Sequence, residues 1–428
     1  MSARARRTCS MIEPQIGIVA NRNQFAHQLL QVLLVGLTLG MVRTVVPALA
    51  ESEFDVARGS ILLLSSFVVA FGLVKGVLNF VAGRLSERVG RKPVLLAGWV
   101  AAFPVPFLIY FAPNWSWIVA ATVLLGVNQG LCWSMSQTAK LDFTRPDQRG
   151  LTLGLNEFAG YAGVAAAGIV TAYLTQGLGM RTGLLVFGIA VIAAGTLLTV
   201  FGVRETLQFI RPSADRSRSP GQDEPLPGTW EVFALMSWRD RRMAALSQAG
   251  LVEKFVDALV WVVLPVHLFA KGIPLPQIGW IAGTYGVVWG LAQLLTGPLS
   301  DRIGRHLLNV GGMWVCAFGT SLMVLLEGFA GWTASAALTG FGMAMLYPNL
   351  SAAVADIAEP TWRGSAIGIY RFWRDLGYAV GALGFGLAAS LAGTLDAAFW
   401  FVAGSMLASG AMLALWGGES HPGFAAHR

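Results

Sequence analysis

Twelve long apolar runs constrain what this chain can fold into: residues 25–50, 59–82, 93–112, 115–139, 151–174, 181–203, 244–270, 276–299, 306–328, 332–357, 364–391 and 394–417. A helix needs about 20 mostly apolar residues to cross the hydrocarbon core of a bilayer. Inside that core the backbone must satisfy its own hydrogen bonds, which restricts spanning segments to helices and closed barrels. Runs this long predict helices. Only 12% of the 428 residues are charged and 55% are hydrophobic, against about 25% charged in a soluble chain. The expected fold class is an all-α membrane protein with twelve transmembrane helices, its surroundings the lipid bilayer.

The positions of the cations orient these spans. Net charge is +7. With both termini inside, 22 of the 30 Lys and Arg fall in inner tails and loops, and three (Arg58, Arg181 and Lys271) in outer loops. Inner loops of membrane proteins carry such an excess. The basic balance is thus a topology signal, and nucleic acid is excluded as a partner. Residues 1–24 read as a cytoplasmic tail, because the apolar run beginning near Phe25 is too long for the core of a signal peptide. Residues 204–243 form the longest polar stretch, with linker composition from Ser213 to Pro225 and a surface helix over 229–235. The expected organisation is a six-helix bundle over 25–203, this cytoplasmic linker, a second bundle over 244–417 and a cytoplasmic tail over 418–428. The expected location is the inner membrane, multi-pass, with both termini cytoplasmic.

The two halves echo one another. Gly83-Arg84-Leu85-Ser86-Glu87-Arg88-Val89-Gly90-Arg91-Lys92 returns as Gly297-Pro298-Leu299-Ser300-Asp301-Arg302-Ile303-Gly304-Arg305, 214 residues later, half of 428. At the same offset Asp142 maps to Asp356, Arg149-Gly150 to Arg363-Gly364 and Gly154 to Gly368. In each copy an acid, Glu87 or Asp301, precedes an arginine, Arg91 or Arg305, by four residues, a spacing that brings them together on a helix. Asp142 and Asp356 can complete an acid–base–acid network in each half. Parallel repeats about an axis normal to the membrane are the arrangement of one large transporter fold.

These residues resemble the major facilitator superfamily, whose loop between spans 2 and 3 reads roughly Gly-x-Leu-Ala-Asp-Arg-x-Gly-Arg-Lys. Gly83, Leu85, Arg88, Gly90, Arg91 and Lys92 match it, with Glu87 for the usual Asp. With the twelve spans and the echo, the resemblance covers nearly the whole chain. It implies two pseudo-symmetric six-helix bundles and a secondary transporter working by alternating access. In it, Gly83, Glu87, Arg88, Gly90, Arg91, Asp142, Asp301, Arg305 and Asp356 would lock the halves together on the cytoplasmic side. Two signatures of the drug–proton antiporter branch are incomplete. Span 4 has Gln129-Gly130 but Gly126 where that branch has arginine, and span 5 has Gly154, Gly160, Gly163 and Gly168 without the proline.

Charges inside a bilayer are costly and face the bundle interior or a wet cavity. Asp257 is the first candidate for carrying a proton, with Glu253 and Glu157 behind it, since a desolvated carboxylate can take a proton from one side and release it to the other. Glu253 and Asp257 share a helical face, and Lys254 is expected to point elsewhere. Lys75, Arg371 and Asp375 lie toward the cytoplasmic ends of their spans and are candidates for inner-gate pairs, Arg371 with Asp375 at i, i+4 among them. Arg43, Asn128, Gln129, Trp133, Tyr347, Asn349 and Arg374 are candidates for the substrate cavity. Arg43 and Arg374 favour an anionic or zwitterionic small molecule, because guanidinium holds carboxylate or phosphate bidentately. Pro348 is expected to break span 10.

Other classes find little support. Cys9, Cys132 and Cys316 build no disulfide framework, and no Cys/His cluster has metal spacing, so no metal and no cofactor is expected. The five histidines form no motif with a nucleophile, and there is no nucleotide-binding Walker segment, so the chain is not expected to be an enzyme or a primary pump. The expected function is proton-coupled efflux of a small solute by a monomer. A uniporter or importer of the same fold is the alternative within transport, and a non-transporting membrane sensor or scaffold the alternative of another class.

Overall fold

The computed structural model describes residues 15–54, 61–210 and 227–425, and every regular element among them is helical. Residues 1–14 of the tail, Arg58, the linker residues 211–226, residues 426–428 and the side chain of Arg43 lie outside the described residues. The first half contains α1 (Arg22–Glu53), α2 (Ile61–Val89), α3 (Arg91–Ala102), α4 (Val105–Tyr110), α5 (Trp115–Asp142), α6 (Arg149–Leu178) and α7 (Met180–Leu197). The short α8 (Thr229–Ala234) leads into the second half: α9 (Arg241–Ala270), α10 (Leu275–Ile303), α11 (His306–Leu325), α12 (Gly328–Ile357), α13 (Arg363–Ala392) and α14 (Asp396–Trp416). The third span is divided into α3 and α4 at Pro104, which has no N–H to continue the ladder.

Eleven of the twelve spans are apolar enough to cross a membrane on composition alone. The twelfth, α9, has 30 residues, the same length as α6, α12 and α13. Its middle carries Glu253, Lys254 and Asp257, all fully buried. Such charges are tolerated only where protein rather than lipid surrounds them, so α9 lies inside its half with its polar residues turned inward.

Each half has its own apolar core, around Val35, Trp99, Leu125 and Val191 in the first and Val256, Met313, Leu346 and Val402 in the second. The halves meet along two seams, α2 against α13 and α6 against α10. Small residues let the backbones close in. A Cβ on Gly83 would stand 2.5 Å from the Gly364 carbonyl oxygen, and one on Gly150 would stand 2.2 Å from that of Gly297.

The segment expected to be a loop after span 2 is mostly helix. α2 runs on through Val89, and the chain turns only at Gly90, whose φ of 104° suits glycine alone. Gly304, with φ of 94°, repeats the turn after α10. We call the end of the molecule that holds these two turns the motif face. Near it α8 lies over the first seam. Its Phe233 touches Phe80 of α2 and Phe372 of α13, while Val232 and the following Met236 bury themselves in the second core.

Candidate functional site

The motif face is built from two reciprocal caps. A helix begins with unsatisfied N–H groups and a partial positive charge. Glu87, on the first half, accepts hydrogen bonds from the Ser365 backbone N–H (2.6 Å) and hydroxyl (2.7 Å) at the start of α13, on the second half. Asp301, on the second half, accepts from the Gly150 and Leu151 N–H groups (both 2.9 Å) at the start of α6, on the first. Each half therefore caps a helix of the other.

The arginines do different work. Arg91 binds Asp142 (Nε to Oδ2, 3.0 Å) and Ser86 (Nη1 to Oγ, 3.0 Å), holding α3 to α5. Arg305 repeats this with Asp356 (3.1 Å) and Ser300 (2.5 Å). The expected i, i+4 pair forms between Asp301 and Arg305, at 2.6 Å. Glu87 does not take Arg91. Its cationic partner is Arg84, at 3.1 Å, while Arg91 binds Asp142 on α5. Asp356 also receives Arg149 across the second seam, at 2.7 Å. Arg88 stays exposed in the last turn of α2.

Two acids on this face were missed by sequence reasoning. Glu205 accepts from the Arg91 and Lys92 N–H groups (3.0 and 3.1 Å) at the start of α3. Glu419 accepts from those of Arg305 and His306 (2.9 and 3.2 Å) at the end of the Gly304 turn. They stand 214 residues apart, so the repeat offset, carried past the last span of each half, would have found them. Burial pushes the Glu419 carboxyl up, but the N–H groups of His421, Arg305, His306 and Ser420 outweigh it and leave it below the usual carboxylate range.

Deeper in the molecule the charges form a chain across the first seam and into the second half. Lys75 on α2 reaches Asp375 on α13 at 3.6 Å, and Asn79 donates to the same carboxylate at 2.6 Å. Arg374 stands 3.6 Å from the other Asp375 oxygen. Its guanidinium lies 4.5 Å from the centre of the Tyr347 ring. Arg371 turns away from Asp375 and donates to Gln137 of α5. Glu157 accepts from Trp133 Nε1 (3.1 Å) and Asn156 (2.8 Å), within the first half.

On α9, Lys254 does not point elsewhere. It binds Asp257 at 3.2 Å, and its ammonium is ringed by Tyr347, Tyr378 and Trp289, with ring centres at 4.2, 5.1 and 5.2 Å. Tyr378 donates to the same Asp257 oxygen, leaving Oδ1 without a hydrogen-bond partner. Both Glu253 oxygens lack a hydrogen-bond partner as well, although an ionised carboxylate is costly to bury in that condition.

Three of the expected cavity residues serve packing. Asn128 donates to the Gly98 carbonyl (3.0 Å) and Gln129 to that of Val35 (2.9 Å), tying α5 to α3 and α1. Asn349 donates to Met345 O (2.7 Å). Pro348 does not break span 10, since α12 is helical through Ile357. Proline removes the bond to the carbonyl four residues back, here Ala344, and the Thr296 hydroxyl donates to that oxygen at 2.6 Å.

A cavity of about 550 Å³ opens between α6 and α10 and reaches inward to α9. Tyr161, Tyr285, Trp289 and Trp261 wall it, and Asp257 lies at its inner end. Its residues on α6, Phe158 to Ala165, lie beyond Gly150 and Gly154, away from the motif face. Arg374, Glu157, Trp133 and Tyr347 are not among its lining residues.

Two six-helix halves joined by closed seams on one face, with a cavity between them beyond that face, define a membrane transporter. A model of the Major Facilitator Superfamily matches residues 29–252 and again 246–426, and the chain belongs to that family, whose members are transporters rather than enzymes. It is 25% identical over 393 residues to the class G tetracycline resistance protein of Vibrio anguillarum, a match that covers 87% of this chain and 93% of the relative. It is 22% identical over 354 residues to a homolog of the multi-drug resistance efflux pump PmrA in Lactococcus lactis, over 82% of this chain and 84% of the relative. The crystal structure of the human organic anion transporter MFSD10 shares the fold, with a TM-score of 0.76 at 18% identity over 92% of this chain and 99% of that one.

Proposed function

We propose that this protein is a proton-coupled secondary transporter that exports a small solute across the inner membrane by alternating access. One observation carries the reading: the seams are closed by reciprocal caps on the motif face, while a cavity lies between the halves beyond them. The basic inner loops favour a cytoplasmic motif face, with both termini on that side, so the arrangement is closed toward the cytoplasm. Inward opening requires the Glu87 and Asp301 caps to break together. Hydrogen bonds to charged groups are worth about 1.5–3 kcal/mol each, so the switch must draw on differential binding of solute or proton.

Asp257 is the group we assign to the proton. It lies where the cavity ends, and a proton on it would loosen its contacts with Lys254 and Tyr378. Lys75 and Asp375 cross the first seam and suit an inner gate. The names of the tetracycline-resistance and efflux-pump relatives support outward movement. Purified protein in liposomes should move solute faster when a pH gradient is imposed. Flux indifferent to the gradient would reject coupling and leave a uniporter.

A further inference from the structure

The cavity between α6 and α10 also bears on what is carried. An anionic or zwitterionic substrate was expected from Arg43 and Arg374. Arg374 does not line the cavity. It is held against Tyr347 and Asp375 instead. Among the described lining residues the charged side chain is a carboxylate, Asp257, fully buried with Oδ1 unpartnered. The remaining walls are aromatic and aliphatic, and rings of this kind attract cations through their faces. Trp289, a wall residue, already flanks one ammonium, that of Lys254, beside the same carboxylate. The volume lies within the range of about 300–1,000 Å³ usual for drug-sized ligands.

The edge of the cavity on α10 is apolar and exposed. Val287 and Leu291 beside it are 60% and 55% exposed. Gly283, Gly286 and Gly290 present a bare helix face, where an added Cβ would meet nothing within 4 Å. From these observations we propose that the cavity binds an amphipathic organic cation, with Asp257 Oδ1 as its counter-ion, Tyr161, Tyr285, Trp289 and Trp261 around its apolar body, and the glycine face of α10 as its way in from the lipid. The proposal rests on the transport reading but is tested by binding alone, so failure of coupled flux and failure of cation recognition are separate results.

The experiment is equilibrium binding of radiolabelled tetraphenylphosphonium to the purified full-length protein in nanodiscs, with tetraphenylborate as a shape-matched anion. The cation should bind, and Asp257→Asn should weaken it at least tenfold. Gly286→Leu fills the cavity from a position with open space around it. It should weaken binding as much while elution and melting temperature stay at wild-type values, which guards against an Asp257→Asn variant that fails to fold. Wild-type protein that binds no tetraphenylphosphonium would overturn the proposal, as would cation binding that survives either substitution. Preferential binding of tetraphenylborate, lost in Arg374→Ala, would also overturn it and restore the anionic site.

Discussion

The close approach at the second seam makes Gly150→Ala a test of how the motif face is held shut. An added Cβ would stand 2.2 Å from Gly297 O, 2.5 Å from Ser300 Oγ and 2.8 Å from Arg305 Nη1. Ordinary contact begins at 3.4 Å, so α6 and α10 must part by about 1 Å, at a cost of about 1–3 kcal/mol if this behaves as overpacking elsewhere. Parting also lengthens the Asp301 bonds to the Gly150 and Leu151 N–H groups. The intrinsic gain of alanine over glycine in a helix is about 1 kcal/mol, but it is present in both conformations and cancels. Since 1.4 kcal/mol is a factor of ten, the equilibrium between closed and open motif face should shift about 5- to 150-fold toward open. Spin labels at Val89 and Ile303, exposed at the ends of α2 and α10, report the separation of the halves by pulsed electron resonance in nanodiscs. The variant should populate a longer distance, while Gly279→Ala, with open space around its Cβ, should not. An unchanged distance distribution in Gly150→Ala would mean that the backbone contact does not hold the seam.

Three further outcomes follow from the same geometry. Asp257→Asn should abolish flux driven by a pH gradient in liposomes, and a variant that keeps the wild-type response would remove Asp257 from the proton path. Asp301→Ala deletes two charge-assisted bonds across a seam, worth about 1.5–3 kcal/mol each, and should raise labelling of a motif-face cysteine by a membrane-impermeant maleimide at least tenfold. Equal labelling would show that the cap is energetically idle. The Glu419 carboxyl is depressed below its ordinary value of about 4.3. The stability it contributes is thus present above that pH and is lost as pH falls through its folded value. Thermal melts between pH 6 and 3 should show this acid-side loss, and Glu419→Gln should flatten it. An unaltered slope in the variant would count against the contact.

What the sequence made legible was whatever the membrane or the duplication dictates locally. The spans could be read because lipid demands long apolar helices, and the 214-residue offset exposed Asp301, Arg305 and Asp356 without any knowledge of contacts. The failures were of direction. Nothing in the string says that Glu87 takes Arg84 while its counterpart Asp301 keeps Arg305, since both copies make the same positive-φ glycine turn. Asn128 and Gln129 look like pore residues because amides are rare in spans, and only the packing of α5 against α1 and α3 shows their NH2 groups donating to backbone carbonyls. Pro348 carries a strong local signal for a break. Thr296, 52 residues away in sequence, offsets it by donating to the freed carbonyl. Lys254 was assigned the wrong side because helical spacing places Cβ atoms and says nothing of where a four-carbon stem bends.

The duplication has kept the frame and changed the centre, and this division has a mechanical consequence. At the repeat offset Ser86 faces Ser300, Arg91 faces Arg305, Asp142 faces Asp356 and Glu205 faces Glu419, each in the same kind of contact. These contacts brace each half internally; the bonds across the seams are reciprocal but unequal, with Glu87 on Ser365, Asp301 on Gly150 and Leu151, and Arg149 adding a bond to Asp356 at the second. In the centre the equivalents differ: Gly40 for Lys254, Arg43 for Asp257, Lys75 for Trp289, Glu157 for Arg371, Gly160 for Arg374. Most of the buried charge has collected on α9 and α13, both in the second half, and bare glycine stands at two of the matching positions in the first. A cargo or proton held at Asp257 therefore stays with the second half through the cycle. Of the central charged side chains described, Lys75 alone makes an ion pair between the halves, with Asp375. Parting the halves at mid-depth breaks that pair together with the Asn79 bond to Asp375 and the Arg371 bond to Gln137, and leaves the Lys254–Asp257 site intact.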